Sequence, residues 1–176
     1  AMENKKIIRS PFFYVGDKYK LMPQLKELMP KNIEQYIEPF VGGGSSFLNS
    51  KGNTYMLNDV DSYVVELHQQ IGSYTGKSEE LFGKLFDIID FYGLSCSYRG
   101  IYVPEEMKKK YVKTYYSKYN KEAYIRMRRD FNAEKDDFLR LYLLLIYGFN
   151  HMIRFNRKGD FNLPVGNVDF NNNVYQ

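Results

Sequence analysis

The sequence predicts an α/β fold: the start of a doubly wound sheet, followed by a helical insertion. Three observations carry this expectation. Two strand-like segments, "QYIEPF" and "NTYMLND" (53–59), each precede a segment with helical apolar spacing. The first strand runs straight into three glycines, Gly42, Gly43 and Gly44, within "EPFVGGGSSF". After about residue 76, helical patterns follow one another with no clear strand between them.

Each element has its own local signal. "YKLMPQLKELMP" (19–30) sets Leu21, Leu25, Leu28 and Met29 at helical spacing, and Pro30 follows its end. "QYIEPF" reads as a buried strand, and "SSFLNS" after the glycines opens a short helix. In 61–71, Val64, Leu67, His68 and Ile71 share one face, with Asp61 or Ser62 as the cap. "SEELFGKLFDIIDFYG" is helical, capped by Ser78 and stopped by Gly93. Further helices are expected over 104–117, 120–131 and 135–148. "NHMIRFNRKGDFNLPVGN" alternates polar and apolar residues about "RKGD", a hairpin signal with Gly159 at the turn. The expected division is 1–75 for the sheet portion and 76–176 for the helical, hairpin-bearing region.

Composition narrows the function. The chain of 176 residues is 44% hydrophobic, enough for a core, and carries a net charge of +4. Positive charge gathers in 105–135, which holds ten Lys or Arg against five Asp or Glu. Such a segment fits a polyanionic partner such as nucleic acid, or else a solvated helical surface. The single Cys96 cannot form an internal disulfide, and no signal peptide is evident, which fits the cytoplasm. The apolar run "LYLLLIYGF" (141–149) is too short to span a bilayer and reads as a buried helix. His68 reads as a core or boundary residue, and His151 has no second ligand near it in sequence, so no metal is implied.

The glycines pose the functional question. Glycine is entropically expensive to order, so three in a row after a strand imply a sharp turn or a close approach by a ligand. The spacing Gly42-x-Gly44-x-x-Phe47 lacks the third glycine of the dinucleotide fingerprint. The second strand ends in Asn58-Asp59, where a carboxylate can accept hydrogen bonds from a ribose or simply cap a helix. "PFFYVGDKY" places Tyr14 and Lys18 about Gly16, either to close over an adenosine cofactor or to pack an N-terminal segment. "KKKYVKTYYSKYNK" (108–121) interleaves lysines with tyrosines, as a phosphate-contacting face or as a helix with buried rings and solvated lysines.

Taken together, "PFFYVGDKY", "YIEPFVGGGSSFLNS", "YMLNDVDSYVVELH" and "YGFNHMIRFNRKGDFNLPVGN" resemble the Dam family (D12 class) of adenine-specific DNA methyltransferases, in the expected order and over nearly the whole chain. The resemblance implies a Rossmann-like, S-adenosylmethionine-dependent methyltransferase sheet, with the helical region and its hairpin inserted for DNA recognition. It implies methyl transfer from S-adenosylmethionine to N6 of adenine in double-stranded DNA, with GATC suggested by the hairpin. By the same resemblance, Tyr14, Lys18, Glu38, Pro39, Phe40, Gly42, Gly43, Gly44 and Asp59 stand at cofactor positions. Tyr14 replaces the family's usual tryptophan, and Asp17 replaces a glycine before Lys18. Phe149, Asn150, Arg154, Asn156, Arg157 and Lys158 stand at DNA-facing positions. The family's Asp-Pro-Pro-Tyr motif holds the target amine, and the chain has no Pro-Pro pair. Hence no catalytic residue is assigned, and the expectation is an incomplete sheet, with these residues alone inactive, unstable or oligomeric. The alternatives are a truncated or decayed methyltransferase that only binds cofactor and DNA, or a dinucleotide enzyme, which the missing glycine disfavours.

Overall fold

A computed structural model describes residues 6–12 and 14–176, and residues 1–5 and Phe13 lie outside the description. The chain forms two compact units, Ala1–Gln69 and Gln70–Gln176.

The first unit is a βαβ arrangement. A single 3-10 turn, Tyr19–Leu21, leads into helix α1 (Met22–Leu28), whose Pro23 occupies the first turn, where no amide partner is lost. Strand β1 (Ile33–Glu38) ends at the glycine turn, α2 (Ser45–Leu48) follows, and β2 (Gly52–Leu57) lies parallel to β1. The register pairs Gln35 with Thr54 and Glu38 with Leu57. Beyond the strands, Asn58 N–H donates to Glu38 O (2.9 Å) and Val41 N–H to Asn58 O (2.8 Å), so pairing continues into the turn. Helix α3 (Ser62–Gly72) buries Val64 and Leu67, and Asp61 accepts from the Tyr63 amide at its start (3.0 Å), as expected of a cap.

Two details of this unit differ from expectation. The strands are not buried: Ile37 and Met56, register partners on one face, are exposed, and so is Tyr55 on the other, because the described elements cover the two-stranded sheet only in part. In α1 the inward residue is Met22, while Leu21 and Leu28 are exposed, so the apolar stripe is turned away from its predicted direction.

The second unit is helical. Helix α4 (Ser78–Tyr92) buries Leu81, Leu85, Ile89 and Tyr92 along one stripe and ends on Gly93 in the left-handed conformation. Ser78 is its first residue, and Lys77 takes the capping position. The helix expected over 104–117 stops early: α5 is Glu105–Lys110, and α6 (Tyr115–Ala133) begins before the predicted 120. Asn167 explains the break. Its side chain donates to Lys113 O (2.8 Å) and accepts from the Ser117 amide (3.1 Å), which fixes a turn between the helices. Helix α7 (Phe138–Tyr147) buries every residue from Leu141 to Tyr147, and Asp137 caps it by accepting from the Arg140 amide. A short α8 (Asn172–Tyr175) closes the chain.

One polar cluster lies in this core. Asp169, nearly fully buried, accepts from Ser95 Oγ (3.0 Å), Ser97 N–H (2.8 Å) and Ser97 Oγ (2.7 Å). Asn120 donates to Ser95 Oγ (3.0 Å), and Tyr147 donates to Ser95 O (2.7 Å). Burial raises the Asp169 carboxyl above the usual carboxylate range, against the opposing pull of these donors. The architecture is mixed α/β with a two-stranded parallel sheet. Among the described residues no helix is long and apolar enough to cross a membrane.

Candidate functional site

The glycine turn builds a cleft of about 390 Å³ in the first unit. Gly42 (φ +48°) and Gly44 (φ +80°) adopt left-handed backbone that other residues reach only with strain. A Cβ on Gly44 would stand 2.5 Å from Phe47 Cε1 and 2.7 Å from His68 Cε1, so the position has no room for one. The bent backbone lets the Gly42 amide donate to Asp59 Oδ2 (2.9 Å), and Asp59 Oδ1 accepts from the Asp61 amide (3.1 Å). The turn after β1 and the acid after β2 are thereby one construction.

Other groups hold the turn from behind. His68 Nε2 meets Gly42 O at 2.7 Å; a carbonyl only accepts, so Nε2 carries the proton. Burial lowers the His68 pKa, while the Gly42 carbonyl and Asp59 act in the opposite direction. Ser10 Oγ donates to Gly43 O, and Asn49 accepts from the Ile8 amide (2.7 Å) and donates to Ile8 O (2.7 Å), so the N-terminal segment straps onto the turn. Tyr14 lies against the turn: a Cβ on Gly42 would stand 3.0 Å from its ring Cε1, and one on Gly43 would stand 3.0 Å from its Cβ.

Most of the predicted cofactor residues line this one cleft: Tyr14, Lys18, Glu38, Phe40, the three glycines and Asp59. Pro39 does not; it sits where strand pairing ends, exposed and outside the lining. Lys18 Nζ donates to Gly16 O (2.6 Å) at the surface. Glu38 is half-buried, and desolvation pushes its carboxyl up despite the Phe47 amide and Tyr36. Its Oε2, and Ser45 Oγ nearby in sequence, are buried polar atoms without a hydrogen-bond partner among the described residues. Phe40 (74% exposed) and Val60 (85%) present large apolar side chains at the cleft. Sequence reasoning missed Val60, and it read His68 as a core or boundary residue without its bond to the turn. The signal for Val60 is an apolar residue directly after a strand-end acid, where no helix periodicity claims it.

The hairpin in the second unit is tied by bridges, not by a continuous ladder. Phe155 pairs with Phe161 and Gly148 with Val165, both antiparallel, and Gly159 (φ +80°) makes the turn as expected. Its returning arm is gripped by one face of α6. Tyr124 Oη and Arg128 Nη1 donate to Leu163 O (2.9 and 3.1 Å), and Asn132 exchanges hydrogen bonds with Phe161 N–H and O (2.8 and 3.0 Å). The positions 124, 128 and 132 are four apart, a helical row that was readable and was not read.

Of the predicted hairpin residues, Phe149, Asn150, Arg154, Arg157 and Lys158 are exposed. Asn150 (φ +54°) and His151 (φ +50°) are consecutive left-handed residues, backbone strain concentrated at the head of the hairpin. Arg154 donates from Nε to Asn162 Oδ1 (2.9 Å) and from Nη2 to Asn162 O (2.9 Å), which fixes one edge of its guanidinium. Asn156 is exposed as well, and its Oδ1 accepts from the Lys158 and Asp160 amides, which shapes the turn. Among the described residues no cluster could hold a metal ion.

Comparison with known proteins identifies the family of the chain. Residues 14–175 match the model of the D12 class N6 adenine-specific DNA methyltransferases. The chain is 31% identical over 162 residues to modification methylase StsI of Streptococcus sanguinis, covering 92% of this chain and 21% of the relative. It is 31% identical over 159 residues to type II methyltransferase M.FokI of Planomicrobium okeanokoites, with 90% and 21% covered. With the DNA adenine methylase of Escherichia coli K12 it shares 31% identity over 156 residues, 87% of this chain and 46% of that protein. The chain thus spans from about a fifth to just under half the length of these relatives. With the match extending over nearly all of its residues, the chain belongs to the D12 class N6 adenine-specific DNA methyltransferase family.

Proposed function

We propose that this chain supplies the cofactor-binding and DNA-recognition parts of an enzyme that transfers a methyl group from S-adenosylmethionine to N6 of adenine in double-stranded DNA. The sheet portion would then be part of a Rossmann-like methyltransferase sheet. The observation that carries the reading is the bond from the Gly42 amide to Asp59, which joins the glycine turn and the strand-end acid around one cleft.

The residues fit the cofactor. Glu38 Oε2 is an orphaned buried acceptor, suited to a hydroxyl or ammonium donor of a ligand. Asp59 has used one lone pair on each oxygen and retains others for ribose hydroxyls. Phe40 and Val60 offer apolar surface to a flat base, and Lys18 offers positive charge to a carboxylate. S-adenosylmethionine, when bound, supplies a methyl group made electrophilic by its positive sulfur. The chain's own part is positioning, which in displacement reactions accounts for several kcal/mol of barrier, about 7 or more.

On the DNA side, Asn162 holds Arg154 through Nε and Nη2, and the opposite guanidinium edge suits guanine O6 and N7. Phe149 is an exposed ring placed to wedge into a base stack, and Arg157 and Lys158 suit phosphates. GATC is the target to test first. The test is transfer of labelled methyl from S-adenosylmethionine to duplex DNA with and without GATC, with N6-methyladenine identified after digestion. Label in N6-methyladenine supports the proposal. Binding of cofactor and DNA without transfer supports the binding-module alternative, and label on cytosine contradicts the reading.

A further inference from the structure

We propose that the segment from Tyr102 to Lys118 is a second, sequence-independent DNA contact, a lysine–tyrosine ridge that holds the phosphate backbone of the duplex whose bases the hairpin reads. This rests on the DNA reading above and adds a surface to it.

The lysines are poised for an external anion. Lys109, Lys110, Lys113 and Lys118 are exposed, and of the ridge lysines Lys108 alone forms an ion pair among the described residues, with Glu105 at 2.9 Å. Tyrosine rings organise the arms. Lys108 Nζ lies 5.4 Å from the Tyr102 ring centre. Lys110 of α5 and Lys118 of α6 both approach Tyr111, at 5.2 and 5.7 Å. Two ammonium groups from different helices therefore share one ring. That gathers like charge, which an anion between or beside them relieves.

A merely solvated helix face does not account for the ridge's apolar exposure. Tyr102 is 61% exposed and Val112 69%, each next to lysines. An exposed ring beside cations suits the mixed surface of sugar and phosphate.

The ridge is also continuous with the hairpin. Asn167, directly after the hairpin's returning arm, bonds Lys113 O (2.8 Å) and the Ser117 amide (3.1 Å). The turn between α5 and α6 is thereby fixed to the segment that carries the base-reading residues. Continuity with that arm selects duplex DNA as the occupant over an unrelated acidic partner.

The test is duplex affinity by fluorescence anisotropy across a salt series, for the wild-type chain and for the triple variant Lys109→Ala, Lys110→Ala, Lys113→Ala. Each phosphate contact contributes about 0.9 to the slope of log K against log salt. The triple variant should lose roughly 2–3 from that slope, weaken binding equally for GATC-containing and GATC-free duplexes, and keep its melting temperature. The corresponding triple arginine variant should restore the slope. An unchanged slope in the alanine variant, with wild-type binding intact, overturns the ridge and leaves the hairpin reading standing. A wild-type chain that binds no duplex at low salt overturns both.

Discussion

Gly148→Ala isolates the packing on which the hairpin stands. Gly148 has φ −83° and ψ 156°, a conformation open to any residue, so alanine meets no torsional penalty. The effect is steric. An added Cβ would stand 2.4 Å from Leu163 Cδ2, 2.5 Å from Leu144 O and 3.1 Å from Tyr124 Oη. The first approach is about 1 Å inside ordinary carbon contact. Leu163 can turn away, but Leu144 O is helix backbone within α7 and Tyr124 is fully buried. Overpacking of this kind costs about 1–3 kcal/mol, and a backbone obstacle places Gly148→Ala near 3. The assay is urea unfolding followed by circular dichroism, with an expected drop in midpoint at constant slope. In thermal melts the loss corresponds to roughly 6–12 °C. Gly83→Ala is the internal control: it lies within α4 with nothing within 4 Å of the added Cβ, so it should stabilise by about 1 kcal/mol. A Gly148→Ala loss below about 0.5 kcal/mol would refute the reasoning, because it would mean the arm floats free of α7.

Other expectations follow from the same contacts. His68 has its pKa lowered by burial, so its contribution to stability is present above the ordinary histidine value, about 6.5, and is lost as pH falls through the lower folded value. His68→Gln should flatten the decline in melting temperature between pH 7 and 5 relative to wild type, and parallel curves would contradict this. Asp169→Ala strands the donors of Ser95 and Ser97 in the core and should cost about 2–4 kcal/mol in urea unfolding, whereas a surface-like loss would contradict the buried network. Arg154→Ala should reduce discrimination at one base pair by about 1–3 kcal/mol, read as relative dissociation constants on single-substitution duplexes; a uniform loss on all duplexes would assign it to phosphate instead.

The first β–α–β unit was legible because its signals are local: a glycine turn after one strand and an acid after the next. The same locality found Gly93 and Gly159, both in left-handed turns. What was not legible depends on distant residues. The strands' apolar residues announce strands, but nothing local states whether Ile37 and Met56 meet a neighbour, and the described residues leave them exposed. The break between α5 and α6 is set by Asn167, some fifty residues away in sequence. Within the site, the glycines, Asp59 and Glu38 come together as the motif suggests, whereas Pro39 belongs to the motif without lining the cleft. Asn156 is exposed as its hairpin position suggests, and the turn it closes through two backbone amides depends on Lys158 and Asp160 just beyond it. His68, expected as a core or boundary residue, is half-buried, but its bond to the Gly42 carbonyl, 26 residues away in sequence, has no local signal.

The most direct measurement is calorimetric titration of S-adenosylmethionine and, separately, NAD into the chain and its Asp59→Ala variant. S-adenosylmethionine should bind the wild type, NAD should not, and Asp59→Ala should weaken binding by about tenfold or more, roughly 1.4 kcal/mol. Equal affinity in the two proteins, or preference for NAD, would contradict the assignment of the glycine–Asp59 cleft to a methyl donor.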